Sequence, residues 1–144
     1  MMEIQKTKNS RPYTEILNKI KSVSLRPTRQ RLALGKLLFD DADRHVTPES
    51  LHEEATAAGV KVSLATVYNT LNQFAAAGLL TQVVVAPGRS YYDTNITNHH
   101  HFFYEDNGRL EDIPGDAIKL ASFPEPPFGT KVKRFNVVVR VEKD

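Results

Sequence analysis

The chain has 144 residues with 40% hydrophobic and 25% charged content, which fits a soluble protein of one ordinary domain or two small ones. No apolar run approaches the length of a membrane span, and the start MMEIQKTKNSRPY lacks the apolar centre of a secretory signal. Cysteine is absent, which excludes disulfides and thiolate metal ligands and leads us to expect a cytoplasmic protein whose metals, if any, sit on His, Asp or Glu.

Net charge is only +2, but it is unevenly placed. Residues 1–36 carry nine Lys/Arg against Glu3 and Glu15, a net of +7; residues 37–144 carry ten basic and fifteen acidic residues, a net of −5. A basic N-terminal part is a footprint for phosphate. A solvated basic tail is the competing reading for residues 1–10, which read as disordered.

The spacing of Ile16, Leu17 and Ile20 predicts a first helix over about 12–23. Thr28 or Pro27 opens a second, with Leu34, Leu37 and Leu38 as core positions and the run 40–43 closing it. Thr47-Pro48-Glu49 is a strong helix start: a cap, a proline at the first position, then an acid near the positive end of the dipole. That helix runs to about Ala58.

Residues 63–77 form the most informative segment. Ser63 suits an N-cap, Val67, Leu71 and Phe74 make one apolar stripe, and Gly78 suits the left-handed residue that ends a helix. The other face carries Thr66, Tyr68, Asn69 and Gln73, with almost no charge. Hydroxyl, amide and ring groups are what reading base edges requires, whereas a solvated face normally carries Lys and Glu. An ordinary helix with a polar outer side stays open as the alternative.

Strands at 81–86 and 89–94 flank the turn Pro87-Gly88. Helices followed by a two-stranded hairpin are the layout of a winged helix-turn-helix, in which the last helix enters the major groove and the hairpin is the wing. Strands at 99–105 and 109–113 follow around a turn at 106–108, then a short helix at about 115–121, a proline-rich loop at 123–129 and a last strand at 133–141. In the strand, His99 and His101 point to one face and His100 to the other. The expected fold class is α+β, with a winged-helix DNA-binding domain at 1–94 and a small α/β dimerisation and sensing domain at 95–144. About 50 residues bury too little surface alone, which predicts a homodimer.

The run VSLATVYNTLNQFAAAGLL, the preceding HVTPESLHEEA and the His cluster after the wing resemble the Fur superfamily of metal-responsive repressors, over about residues 12–141. The lack of cysteine, the sequence DTNITNHHHFFYE and the short C-terminal half look most like its iron response regulator subfamily, known from rhizobia and their relatives. The resemblance implies a repressor of AT-rich operators controlling haem synthesis and iron homeostasis genes in response to haem. It implies DNA contacts from Tyr68 and Asn69 to bases, and from Ser63, Thr66, Arg11 and Arg31 to the backbone. It implies a regulatory site for Fe(II), Mn(II) or Zn(II) at His45, Asp93, His101 and Asp112, and haem ligation by His99, His100 or His101. An enzyme of haem synthesis is implied as a further partner.

Two family features are missing. The first pair of structural zinc cysteines is replaced by Tyr104 and Asn107, and Lys119 stands near a further site's acid. The alternative reading is a regulator co-repressed by Fe(II) or Mn(II) without haem sensing. Three histidines in a row also read as a surface strand or incidental metal scavenger. An enzyme, such as a metal-dependent hydrolase built on the His cluster, is not expected, because no HExxH, nucleophile elbow or phosphate-cradling Gly-rich loop is present.

Overall fold

The computed structural model describes residues 13–144. The elements in chain order are α1 (Thr14–Ser22), α2 (Arg29–Phe39), β1 (His45–Val46), α3 (Pro48–Ala57), α4 (Leu64–Ala76), β2 (Thr81–Ala86), β3 (Arg89–Asp93), β4 (His99–Tyr104), β5 (Leu110–Pro114) and β6 (Val138–Val141). Two compact units divide the chain. The first ends at Val84 and takes in Gly88–Ile96; the second holds Val85–Pro87 and Thr97–Asp144.

The first unit is a winged helix-turn-helix. Each of its last three helices starts where a side chain satisfies a free backbone N–H. Thr28 caps α2 by accepting from Arg31, and Ser63 caps α4 by accepting from Thr66. Thr47 and Ser50 cap α3 reciprocally, each side chain accepting the other's backbone N–H. Gly78, at φ 87°, turns the chain out of α4. The apolar stripes meet in one core, where Ile20, Leu34, Leu38, Leu51, Val67, Leu71 and Phe74 are fully buried. Gly35 lies inside α2 because a Cβ there would sit 2.5 Å from Ile16 Cδ1, so its absence lets α1 and α2 close. The wing alternates as the pleat requires: β2 buries Thr81, Val83 and Val85 and exposes Gln82 and Val84. The sheet order is β1-β3-β2.

The second unit is a three-stranded sheet of order β5-β4-β6, with β4 antiparallel to β5 and parallel to β6. Two expectations fail here. The short helix at 115–121 is only a 3-10 turn at Gly115–Ala117. A lone seven-residue segment cannot offset helix nucleation, and Phe123 before Pro124 is biased away from helical backbone. The last strand begins at Val138 rather than 133. The Val137 N–H donates to His100 Nδ1 at 3.1 Å, so a side chain takes the group that would have continued the ladder. The two-residue strand β1 is too short to see in the sequence. Among the described residues, no helix is long and apolar enough to cross a membrane.

Candidate functional site

The first unit presents the polar face of α4. Tyr68 is 39% exposed and Asn69 is exposed, while Thr70 joins the apolar stripe underneath at 4%. Much of the rest of this face is held internally. Ser63 Oγ accepts from the Thr66 N–H at 3.1 Å and donates to Thr66 Oγ1 at 3.0 Å, so both residues build the cap. Tyr92 Oη donates to Asn72 Oδ1. Arg31 is steered toward α4: its guanidinium donates to Arg26 O at 2.8 Å and to Gln73 Oε1 at 2.9 Å. Arg11 lies outside the described residues.

Tyr68 Oη donates to Glu49 Oε2 at 2.7 Å, a partner that the sequence did not reveal. That bond holds the Glu49 carboxyl below its ordinary range and raises the Tyr68 phenol. Beside it lies a cleft of about 450 Å³ lined by Glu49, Tyr68, Asn72, Gln82, Arg89 and Tyr92, among others.

The same unit carries an imidazole–carboxylate pair. Strand register sets His45 opposite Asp93, with His45 Nε2 3.1 Å from Asp93 Oδ2. Asp93 is 1% exposed, and its Oδ1 accepts the Asn95 N–H at 2.9 Å, which fixes the carboxylate plane. The strand carrying His45 is pinned by Arg44, whose N–H donates to Thr94 Oγ1 at 2.9 Å and whose guanidinium pairs with Glu54.

The second unit holds a second cluster. The β4–β5 register places Asp112 opposite His101. Asp112 Oδ1 lies 3.3 Å from His101 Nε2 and 3.5 Å from His99 Nε2, and the two rings are 4.6 Å apart. His99 is therefore a metal-donor candidate beyond the four expected, and the period-two alternation along β4 was the signal for it. His99 Nδ1 lies 2.6 Å from Thr97 O. Donation of the Nδ1 proton to that carbonyl leaves a lone pair on Nε2, the arrangement that metal-ligating histidines use. A lone-pair nitrogen facing a carboxylate oxygen calls for a cation. Nitrogen and oxygen donors without thiolate suit Fe(II), Mn(II) or Zn(II).

His100 is separated from this cluster. It points to the opposite face, fully buried, with its ring 5.4 Å from that of Phe135. Burial, with the neighbouring imidazoles, lowers its pKa. The three histidines thus do not form one exposed haem-binding surface: His99, His100 and His101 are 7%, 0% and 2% exposed. Where the resemblance aligned zinc cysteines, hydrogen bonds hold the β4–β5 turn. Tyr104 Oη donates to Glu111 Oε1 at 3.0 Å, and the Arg109 N–H donates to Asn107 Oδ1 at 2.9 Å.

A winged helix-turn-helix followed by a small three-stranded sheet unit defines a class of two-unit DNA-binding regulators. The model of the Ferric uptake regulator family matches residues 22–125. The Ferric uptake regulation protein of Shigella flexneri is 33% identical over 101 residues, covering 69% of this chain and 68% of that protein. That of Klebsiella pneumoniae is 32% identical over 102 residues, covering 70% and 66%. The chain belongs to the ferric uptake regulator family. It spans about two thirds of the length of these curated relatives. Two solved structures share the fold: the ferric uptake regulator of Pseudomonas aeruginosa with manganese (TM-score 0.65, 24% identity, 88% of this chain and 96% of that one) and that of Vibrio cholerae (TM-score 0.64, 21% identity, 88% and 98%).

Proposed function

We propose that this chain is a metal-responsive transcriptional regulator that binds AT-rich operator DNA as a homodimer, with Fe(II) or Mn(II) as co-repressor. Residues 1–94 serve DNA binding, and residues 95–144 serve dimerisation and sensing. Tyr68 and Asn69 read bases, while Arg31 and Arg11 contact the backbone. Ser63 and Thr66 set the start of α4 against the phosphates.

His45, Asp93, His101 and Asp112 form the regulatory metal site, joined by His99. The observation that carries this reading is the half-exposed Asp112 carboxylate oxygen faced by the ring nitrogens of two buried histidines. When bound, the ion would supply fixed positive charge to these imidazole and carboxylate donors. Thr97 O orients His99, and the Asn95 N–H orients Asp93. The Pseudomonas relative solved with manganese supports the choice of metal. Fluorescence anisotropy of an AT-rich duplex tests it. Manganese should tighten binding, and Asp112→Asn or His45→Ala should remove that response. Equal wild-type affinity with and without metal would sink the reading.

A second reading, a haem-responsive repressor of the iron response regulator type, is favoured by His99-His100-His101 in a chain without cysteine. It assigns the chain to haem synthesis and iron homeostasis genes, with docking on an enzyme of haem synthesis as a further role. With His100 buried against Phe135, ligation falls to His99 or His101, so haem and metal compete for the same imidazoles. Haem absorbance titrations of His99→Ala and His101→Ala, with and without manganese, decide it. A wild-type haem spectrum in both variants would exclude the assignment.

A further inference from the structure

Glu49 is the anomaly of the first unit's polar face. The side chains that α4 itself presents around Tyr68 carry no charge, and a carboxylate among groups that approach phosphates raises the energy of the complex by repulsion. Glu49 is nevertheless held there. It follows Thr47 and Pro48 at the start of α3, where the capping box fixes the backbone and the helix dipole favours an acid. Its Oε2 accepts the Tyr68 hydroxyl proton at 2.7 Å across a separation of 19 residues. Glu49 and Tyr68 both border the cleft of about 450 Å³ that the wing residues Gln82, Arg89 and Ser90 also line. The wing wall is held in turn by Gln82 Nε2 donating to Ser90 Oγ at 3.0 Å.

Tyr68 is thus not a free side chain swept over the groove. Its hydroxyl is used, and what it offers outward is a ring in a set orientation. A ring so held suits the methyl group of thymine. The carboxylate beside it keeps lone pairs that the tyrosine hydroxyl does not use, and it has no proton to give. In the major groove such a group accepts from the exocyclic amines of cytosine N4 or adenine N6. It is repelled by the oxygens of guanine and thymine.

We infer that Glu49 is a specificity-determining residue: it orients Tyr68 against a thymine and selects an amino-bearing base, adenine or cytosine, at the adjoining operator position. The inference rests on the proposed reading of α4 as the recognition helix.

The test is selection of duplexes from a randomised library by the full chain with manganese, comparing wild type with Glu49→Ala, Glu49→Gln and Tyr68→Phe. Wild type should show one column restricted to adenine or cytosine. Glu49→Ala should lose about tenfold discrimination in that column, within the range of a single base contact, and leave distant columns intact. Glu49→Gln should change the preference in the column, because an amide also donates. Tyr68→Phe should blur the adjoining thymine column by freeing the ring.

Two results overturn the inference: a Glu49→Ala matrix that superimposes on wild type, or a uniform gain in affinity with no column changed, which would make Glu49 a plain charge brake. Circular dichroism melting confirms that each variant folds, and Glu49→Gln, nearly isosteric, carries the test if Glu49→Ala does not. Failure of wild type to select any duplex is a separate result: it defeats the reading of α4, and the inference falls with it.

Discussion

The two units bury different chemistry. The first closes on aliphatic and aromatic side chains, each on the stripe of a capped helix, with Leu34, Leu38, Leu51, Val67, Leu71 and Phe74 at 0% exposure. The second buries three histidines along β4 among only a few apolar side chains, Phe103, Leu110 and Ile113, while Val138, Val139 and Val141 of β6 remain half covered. A core of the first kind is stabilised by removing apolar surface from water, about 1.5–3 kcal/mol for each fully buried Leu or Phe. A core of the second kind contains polar groups whose burial costs free energy unless each finds a partner. The His100 Nε2 has none among the described residues. The first unit therefore rests on apolar burial, whereas the second leaves buried imidazole nitrogen to be satisfied.

The contrast can be broken most directly at Leu71. Leu71→Ala should cost the first unit about 2–5 kcal/mol and leave manganese-induced protection of amides in β4 and β5 in place. Hydrogen exchange reads both units at once, and loss of that protection in the variant would show that the units are not separable in stability.

Metal should act on the other side of the comparison. At a manganese concentration of about 100 times the dissociation constant, binding to the folded state alone stabilises by about 2.7 kcal/mol. Asp112→Asn should remove most of this gain in urea unfolding, with a small change in the metal-free protein. A variant as metal-responsive as wild type would take Asp112 out of the site.

Gly35→Ala tests how tightly the first core is packed. The added methyl would meet Ile16 at 2.5 Å, so a loss of about 1–3 kcal/mol is expected in thermal unfolding. A gain, as for a solvent-exposed helix glycine, would show that Ile16 can move aside.

Smallest is the cap of α4. Ser63→Ala should cost about 1 kcal/mol, and Ser63→Asp should restore most of it, since either acceptor can take the Thr66 N–H. No recovery with Asp would mean that the Ser63 hydroxyl matters for its bond to Thr66 Oγ1.

Much of the first unit was legible because its signals are local. Thr28, Thr47 and Ser63 sit within three residues of the N–H groups they satisfy. The stripe at Val67, Leu71 and Phe74 repeats at the helical period, and Gly78 marks the end of α4. The alternation of His99, His100 and His101 was legible for the same reason, since the pleat of a strand has a period of two. The segment from 115 to 137 was not. Its residues have helix- and strand-compatible composition, but Phe135 packs on His100 and Val137 donates to it, contacts that no window of sequence contains.

The sequence by itself determined the capped helices, the wing, the faces of β4 and the family. Only the tertiary structure decided that Asp112 would face His99 as well as His101, that Tyr68 would be tied to Glu49, and that Gly35 would admit Ile16. The reason is distance along the chain. Caps, stripes and pleats are set by backbone geometry over a few residues, whereas strand register and helix docking bring together side chains whose spacing no local period encodes.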